Sequence, residues 1–509
     1  MNTTQKGGAI VLKRLRSFFS RRRRAKWSRQ VPYFHVAGIE PLEVRRLLAT
    51  VDWTGGGGDY SWSDPANWSG GSLPGTTDDV VISAPAGVTI THASGTDSIH
   101  SLSSANAFTL SGGLLSVATT LEVDNTFLIS GGTLQNATVE PGTGSGSLSA
   151  AGSTLDGVTL DSNLQVVGGN SVTVKDGLTL NGTATLGGSG GSNWGFLDFS
   201  GSQTLGGTGT VVFGQYSLNA LAAMNSGTVL TIGPGITLRG QSGYIGYSPT
   251  FGSSANVAVI NQGIIEADTS GGIITVDSQS GTFNNYGALA ATAGTLGLYP
   301  GGTGVINSGS ITVGPTGTLS VNGNFSQTST ASMNVVLGGL APNLFGHLAV
   351  TGSATLDGSL NVSEANGFSP ITGDNFTILT FASATGQFNN YSGLLLPGNA
   401  ALQPGYDPKD VTLTTVTNTT IAPDLRVTGL ALSPANPQSS QLVTVNWNDA
   451  NFGNGSTGAS WTDHVVVVNT TTGQTIATAD VAYDAAVRGN LSTHGIFFLT
   501  LDSGRSSPP

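Results

Sequence analysis

A spaced Asn-x-Gly motif constrains this chain more than any other feature. It occurs at Asn261, Asn285 and Asn307, 24 and 22 residues apart, and each copy precedes a short run of alternating apolar and polar residues. An earlier, weaker copy begins at Asn225. A period of this size is typical of a solenoid of stacked β coils. We expect each coil to turn on Gly or Asn at positive φ and to lay its strand on the strand of the next coil.

Composition supports a folded, β-rich chain. Of the 509 residues, 75 are glycine, 38% are hydrophobic and only 9% are charged. Inward Leu, Val and Ile alternate with outward Thr, Ser and Asn over residues 84–420, which is the pattern of strands buried on one face. We therefore predict an all-β fold in which residues 84–420 form a right-handed parallel β-helix of about 14 coils, at about 23 residues per coil. Its Gly-Gly-Thr-Leu units, as at Gly131, resemble the autotransporter-associated β-strand repeat.

Charge is divided unequally along the chain. Residues 1–46 contain 12 of the 18 Lys and Arg residues and have a net charge of +10, whereas the rest has a net charge of −21. Nucleic-acid binding by the folded part is therefore not expected, because phosphate neutralisation needs clustered basic side chains. The chain has no cysteine, which excludes disulfides and thiolate metal sites.

The first 50 residues have the features of a targeting region. The apolar run at residues 10–12 is too short for an ordinary signal peptide, and no stretch approaches the length of a membrane span. Residues 39–49 resemble the LEPR-XLL segment of large planctomycete exported surface proteins, which also follows an arginine-rich stretch; Val44 stands where that family has proline. The resemblance implies export, and we expect an extracellular or cell-surface protein without a transmembrane span.

Residues 51–83 contain three of the seven tryptophans, Trp53, Trp62 and Trp68. The segment is similar to the opening of many autotransporter-like solenoids. The first coil of a solenoid has an open edge and an uncovered core, and bulky aromatic side chains can cover both. We favour this cap. The alternative is a glycan-binding module in which the same three residues stack on sugars.

Two further modules follow the repeats. Phe368, Phe376, Phe381 and Phe388 lie in a segment that resembles the closing part of autotransporter-like passengers, and we expect them to cover the last coil. Residues 424–501 have the strand spacing of an immunoglobulin-like sandwich with a buried tryptophan. They resemble the cell-adhesion-related bacterial domain, CARDB. Only one strand-like run remains after Asn490, so the sandwich is expected to be partial, with a polar tail at residues 502–509.

Parallel β-helices also include polysaccharide lyases and hydrolases, so catalysis is a competing prediction. Between residues 84 and 420 the only Lys and Arg residues are Lys175, Arg239 and Lys409, which are far apart in sequence. A hydrolase needs carboxylates about 5–10 Å apart. The best local pair is Glu266 and Asp268, two residues apart and hence on one face if both lie in a strand. Solvent-facing acids that keep the rod soluble are the favoured interpretation of this pair.

Metal and cofactor sites have little support in the sequence. The histidines show no HxH or HExxH spacing; they are His35, His92, His100, His347, His464 and His494. Calcium near Asp59 and Asp64 is retained as a minor alternative, and no other cofactor is predicted. We predict a non-enzymatic surface protein whose solenoid stalk presents a contact surface to cell-surface glycans or to other surface proteins.

Overall fold

A computed structural model describes residues 49–144, 146–166, 168–249, 254–418, 424–435, 442–452, 460–468, 475–483 and 495–500. Within these residues the main body is a parallel β-helix, which confirms the predicted fold class. The basic arm, the LEPR-XLL-like match up to residue 48 and the tail at residues 502–509 lie outside the described residues. No helix among the described residues is long and apolar enough to cross a membrane.

Each coil contributes one strand to each of three faces. Face 1 is a sheet of 14 parallel strands, in agreement with the predicted number of coils. Its strands are Thr89–His92, Ala107–Leu110, Phe127–Ile129, Leu148–Ala150, Leu164–Val166, Thr183–Leu186, Thr210–Phe213, Thr237–Gly240, Ile264–Ala267, Ala288–Ala291, Ser310–Val313, Ser332–Leu337, Ser359–Glu364 and Asn390–Ser392.

Faces 2 and 3 belong to one sheet of 29 strands, because two long strands, Ser153–Leu160 and Asn170–Leu180, run around the corner between them. The other strands of face 2 are Thr96–Ile99, Leu114–Val117, Thr133–Gln135, Gly195–Phe199, Ala220–Ala223, Ser242–Gly246, Ile273–Asp277, Thr295–Tyr299, Thr318–Val321, Leu348–Val350 and Asn375–Thr380. Those of face 3 are Ala49–Asp52, Asp78–Ile82, Ser101–Ser104, Thr120–Val123, Thr138–Pro141, Gln203–Gly206, Val229–Ile232, Ala258–Asn261, Phe283–Asn285, Val305–Asn307, Phe325–Gln327, Ser353–Leu356 and Ser383–Gly386.

The core runs the length of the β-helix, because most strands bury every second side chain. The register from Thr89 to Asn390 on face 1 gives a mean of about 23 residues per coil. Individual coils range from 16 residues, between Leu148 and Leu164, to 31 residues, between Ser359 and Asn390. Insertions therefore enter the corners without disturbing strand stacking.

The three asparagines of the repeated motif face the interior and not the solvent. Asn261, Asn285 and Asn307 are fully buried and share one column with Gln327. Asn261 Nδ2 donates to Asn285 Oδ1 at 2.7 Å, Asn285 Nδ2 to Asn307 Oδ1 at 2.8 Å, and Asn307 Nδ2 to Gln327 Oε1 at 3.3 Å. The inner ladder, as we call these four side chains, lets buried amides satisfy one another.

The motif glycines are required for close packing between coils. A Cβ on Gly287 would lie 2.1 Å from the carbonyl oxygen of Gly263, and one on Gly309 would lie 2.0 Å from that of Gly287. None of these glycines, nor any of the three asparagines, has a positive φ. The prediction of turns at positive φ was therefore wrong for the motif residues themselves, where the restriction comes from the neighbouring coil. The same coils do turn on glycine at positive φ elsewhere, as at Gly271 and Gly304.

The C-terminal end of the β-helix is closed by antiparallel strands. Asp410–Thr417 pairs with Asn375–Thr380 and with Ala400–Tyr406, which in turn pairs with Leu395–Leu396. Phe376, Phe381 and Phe388 are buried in the same core, and Phe368 packs against it. The rings of Phe368 and Phe376 meet edge to face, with their centroids 6.0 Å apart. This is the location predicted for the four phenylalanines.

The described part of the C-terminal module contains two small antiparallel sheets. Leu425–Ser433, Leu442–Asn451 and Gly495–Thr500 form one, and Trp461–Val468 and Thr475–Tyr483 form the other. Trp447 is buried and donates from Nε1 to Asp463 Oδ2 at 3.0 Å. The antiparallel pairing and the buried tryptophan agree with the predicted features. The assignment to a partial immunoglobulin-like sandwich stays a prediction.

Candidate functional site

The tryptophans predicted as a cap or a glycan platform lie inside the first coils. Trp53, Trp62 and Trp68 are 7%, 0% and 2% exposed. The Trp68 ring meets the other two edge to face at centroid distances of 4.9 and 4.8 Å, and Trp62 also packs against Phe108. Trp68 Nε1 donates to the backbone oxygen of Trp62 at 2.8 Å. Because the rings are enclosed, they do not offer a face to a sugar in this structure, and their placement favours the cap.

The acids near this cap stabilise turns. Asp59 Oδ1 accepts from Ser61 N at 3.0 Å and from Asn67 Nδ2 at 2.7 Å, and Asp64 Oδ1 accepts from Ala66 N at the start of the short 3-10 helix Pro65–Asn67. Among the described residues, no group of three His, Asp or Glu side chains gathers closely enough to hold a metal ion. Calcium at Asp59 and Asp64 gains no support from these contacts.

Glu266 and Asp268 do not form the expected pair on one strand. The strand Ile264–Ala267 ends before Asp268, whose carboxylate lies beside Arg239 and accepts from Arg239 Nε at 2.6 Å. Glu266 Oε1 accepts from Thr292 Oγ1 at 3.0 Å. The two carboxylates therefore have separate partners. The prediction that both lie on one strand was wrong, because the chain turns after Ala267.

One cluster has the residue types of a catalytic triad without its geometry. His100 Nδ1 lies 2.7 Å from Asp79 Oδ1, and Ser101 Oγ donates to that same oxygen. These hydrogen bonds, led by the one from Ser101, lower the pKa of Asp79. In a nucleophilic triad, histidine stands between the serine and the acid. Here both contact the acid directly, so the cluster joins two neighbouring coils.

The remaining histidines are dispersed. His92 is buried, with Nε2 2.8 Å from Asp97 Oδ2, and burial lowers the pKa of His347. His464 Nδ1 lies 2.6 Å from Asp480 Oδ1 in the C-terminal module. His35 and His494 lie outside the described residues.

A patch on the outer side of face 2 was not predicted from the sequence. The strand Gly195–Phe199 is buried on both sides: Leu197 and Phe199 enter the main core, whereas Phe196 belongs to a separate apolar cluster. Ala220–Ala223 is also buried on both sides. We name as the outer patch the side chains Trp194, Phe196, Asp198, Tyr244, Asp277 and Tyr299, which lie on or beside four of five successive strands of face 2.

The register defines two rows of outward positions across the outer patch. One row contains Phe196, Ala220, Tyr244, Thr275 and Gly297, and the other contains Asp198, Ala222, Gly246, Asp277 and Tyr299. Small residues thus follow Phe196 and Asp198 on the second strand, and Tyr244 lies at the middle of the first row. Asp277 and Tyr299 end the second row.

Both carboxylates of the outer patch are nearly enclosed. Asp198 is 9% exposed; burial raises its pKa to about 6, and a hydrogen bond from Ser171 opposes this shift. Asp277 is equally buried, and its oxygens accept from the backbone nitrogen and the side-chain amide of Gln279 at 2.9 and 3.3 Å. Burial also raises the pKa of Asp277. Such groups readily accept hydrogen bonds that compensate for lost hydration.

Tyr299 lies beside Asp277 on the next strand and reaches across the sheet. A Cβ on Gly297 would be 3.1 Å from Tyr299 Cε2, so the tyrosine ring occupies the space above this glycine. The side chain is nevertheless 43% exposed. The ring is thus supported by the sheet on one side while it remains accessible to a ligand.

The two acids of the outer patch are farther apart than the carboxylates of a hydrolytic pair. Asp198 and Asp277 are three strand steps apart in one row, which corresponds to about 14 Å at about 4.8 Å per step. Hydrolytic carboxylate pairs are closer, at about 5–10 Å. The sequence does carry a signal for the patch, since residues 194–199 and 219–224 lack the alternation found elsewhere.

No protein-family model matches this chain, and no curated protein matches it. The resemblances to LEPR-XLL proteins, autotransporter-associated repeats and CARDB domains therefore stay predictions.

Proposed function

We propose that this chain is an exported, non-enzymatic surface protein whose β-helix acts as a stalk and presents a contact surface to glycans or to neighbouring surface proteins. The observation that carries the proposal is the continuous column of 14 strands on face 1, stacked coil upon coil. In such a fold each repeat is stabilised by its neighbours, which suits an extended scaffold. At about 4.8 Å per coil the column is roughly 60 Å long.

The chemistry of the surface supports a contact role. Asn361 Nδ2 donates to Asn334 Oδ1 at 2.8 Å, and Asn334 Nδ2 donates to Thr312 Oγ1 at 3.0 Å. We call these three the outer ladder; they present polar groups on the outside of face 1, as predicted for outward Asn and Thr. The net charge of −21 beyond residue 46 would limit self-association.

Cell fractionation tests the proposed location. The full chain, expressed with its native N-terminal arm in a planctomycete host, should be recovered at the cell surface or in the medium. A matched variant without residues 2–46 should remain inside the cells, because it lacks the basic arm and most of the LEPR-XLL-like segment. Retention of the full chain in the cytoplasm would contradict the proposal.

The competing function is a polysaccharide lyase or hydrolase. It would require cleavage of a polysaccharide by the purified full chain, with loss of activity in a Glu266→Gln/Asp268→Asn variant. We expect no release of reducing ends or unsaturated products, because these two carboxylates have separate partners and do not converge. Reproducible cleavage that disappears in this variant would establish the competing function.

A further inference from the structure

We infer that the outer patch on face 2 is a binding site for a neutral glycan, with the chain of sugar rings lying along the axis of the β-helix. The inference rests on the proposed contact function and specifies the site and the ligand class. This site differs from the glycan-binding module predicted from the sequence, because Trp53, Trp62 and Trp68 are enclosed whereas Tyr299 is accessible to a ligand.

The aromatic residues supply the stacking surface. Tyr299 lies over Gly297 and is 43% exposed, and Tyr244 is partly exposed two coils earlier. The two coil steps correspond to about 10 Å along the axis. Trp194 extends the aromatic line, with its ring 4.6 Å from that of Phe196. Flat rings held in this way pack well against the apolar C–H faces of pyranose sugars, at a low entropy cost.

The carboxylates determine which glycan fits. Hydroxyl groups of a sugar can donate to Asp198 and Asp277, and hydrogen bonds to charged acceptors are stronger than neutral ones. The five strands that carry the patch, from Gly195–Phe199 to Thr295–Tyr299, contain no Lys or Arg. An anionic polysaccharide would bring its charge beside two buried acids, and these five strands offer no cation to balance it. A neutral chain of several pyranose rings avoids this repulsion.

The accessible part of the outer patch lies around Tyr244 and Tyr299. Ala220 and Ala222 are buried, because Trp194 and Tyr244 pack against them. A ligand therefore meets the partly exposed side chains of Tyr244 and Thr275 and the exposed ring of Tyr299. Thr275, next to Tyr244 in the same row, adds a hydroxyl group at the centre of the patch.

Isothermal titration of the purified full chain tests this site. The probes are neutral polysaccharides (a β-glucan, a xylan and a galactomannan), with polygalacturonate as the anionic counterpart. We expect at least one neutral polysaccharide to bind more tightly than polygalacturonate. Tyr299→Ala and Tyr244→Ala should each weaken that binding at least tenfold. Tyr286→Ala is the matched control, because Tyr286 is 57% exposed but precedes a strand of face 1.

A second variant tests whether the position of the Tyr299 ring matters for binding, separately from its presence. Gly297→Val retains Tyr299 but places a side chain where its ring lies, so it should also weaken binding, while circular dichroism verifies that each variant is folded. The inference is overturned if no neutral polysaccharide binds, if polygalacturonate binds better, or if folded Tyr299→Ala binds as the wild type does. These outcomes can be distinguished from those of cell fractionation. A protein that reaches the cell surface but binds no glycan would contradict only the proposed binding site. A protein that binds a glycan but is retained in the cytoplasm would contradict only the proposed export.

Discussion

Breaking the inner ladder should reveal energetic coupling between successive coils. The perturbation is a double-mutant cycle in which Asn285 and Asn307 are replaced by leucine, singly and together. Leucine suits this column, because the positions on either side of the ladder are Ile232 and Leu356. Any hydrophobic gain from each leucine appears in both the single and the double variant and cancels in the cycle if the sites otherwise behave alike.

The magnitude follows from the hydrogen bonds that each variant leaves incomplete. Asn285→Leu removes the donor to Asn307 Oδ1, which is a buried acceptor, at a cost of about 1–3 kcal/mol. Asn307→Leu removes the best acceptor of Asn285 Nδ2, which retains two backbone oxygens. The double variant contains neither the acceptor Asn307 Oδ1 nor the donor Asn285 Nδ2, so neither is left without its partner. We therefore expect a coupling free energy of about 2 kcal/mol, with the double variant more stable than additivity predicts.

The assay is native-state hydrogen exchange, because a long solenoid need not unfold in one step. The reporting amides are those of Ser308 and Ser310, which donate to the backbone of the preceding coil. The control cycle uses Asn334 and Asn361 of the outer ladder, whose hydrogen bond is also 2.8 Å long but joins two partly exposed side chains. Its coupling should be at most about 0.5 kcal/mol. Equal coupling in the two cycles would refute the reasoning.

Three further changes test the packing and the electrostatics. Gly287→Ala should destabilise the protein by about 1–3 kcal/mol in urea titrations, because its Cβ would meet the neighbouring coil. Gly302→Ala is the control and should be nearly neutral, since a Cβ there meets nothing within 4 Å. Similar effects of the two substitutions would show that contact with the neighbouring coil does not restrict Gly287. Trp62→Ala should cost about 3–5 kcal/mol, measured as a lower melting temperature of the first coils, because it empties the centre of the cap. The pKa of Asp198 is raised from 3.8 to about 6, so its contribution to the free energy of unfolding is complete below pH 3.8 and is lost as pH rises through 6. This contribution is at most about 3 kcal/mol. Asp198→Asn should abolish the corresponding part of the pH dependence of the melting temperature, and an unchanged profile would contradict the assignment.

The fold could be predicted in detail because a solenoid is specified locally. Each strand needs only its alternation of apolar and polar residues, and each coil packs mainly on its neighbours. The period of the Asn-x-Gly motif therefore indicated both the parallel β-helix and its 14 coils. The phenylalanines of the closing segment were predicted for a similar reason, since a core that ends must be covered by large apolar side chains.

The direction of individual side chains was harder to predict. Asn261 and its successors stand at strand ends, where one residue decides between the interior and the solvent, and the sequence alone did not show that they point inward. Asp268 was assigned to a strand that ends one residue earlier. A shift of one position moves a side chain to the other face, so short strands leave such predictions uncertain by their nature.

The class of fold, the number of coils, the separation of a basic arm from an acidic body, and the scarcity of basic side chains in the repeats could all be derived from the sequence. Which distant residues meet became clear from the three-dimensional arrangement of the coils. Tyr244 and Tyr299 are 55 positions apart, and they share the outer patch because the intervening coils differ in length yet stack in register. Corner insertions change the number of residues between stacked strands, so spacing in the sequence alone does not predict which side chains meet. The tertiary structure also shows that the three tryptophans are enclosed, whereas the sequence was compatible with either a cap or a glycan-binding module.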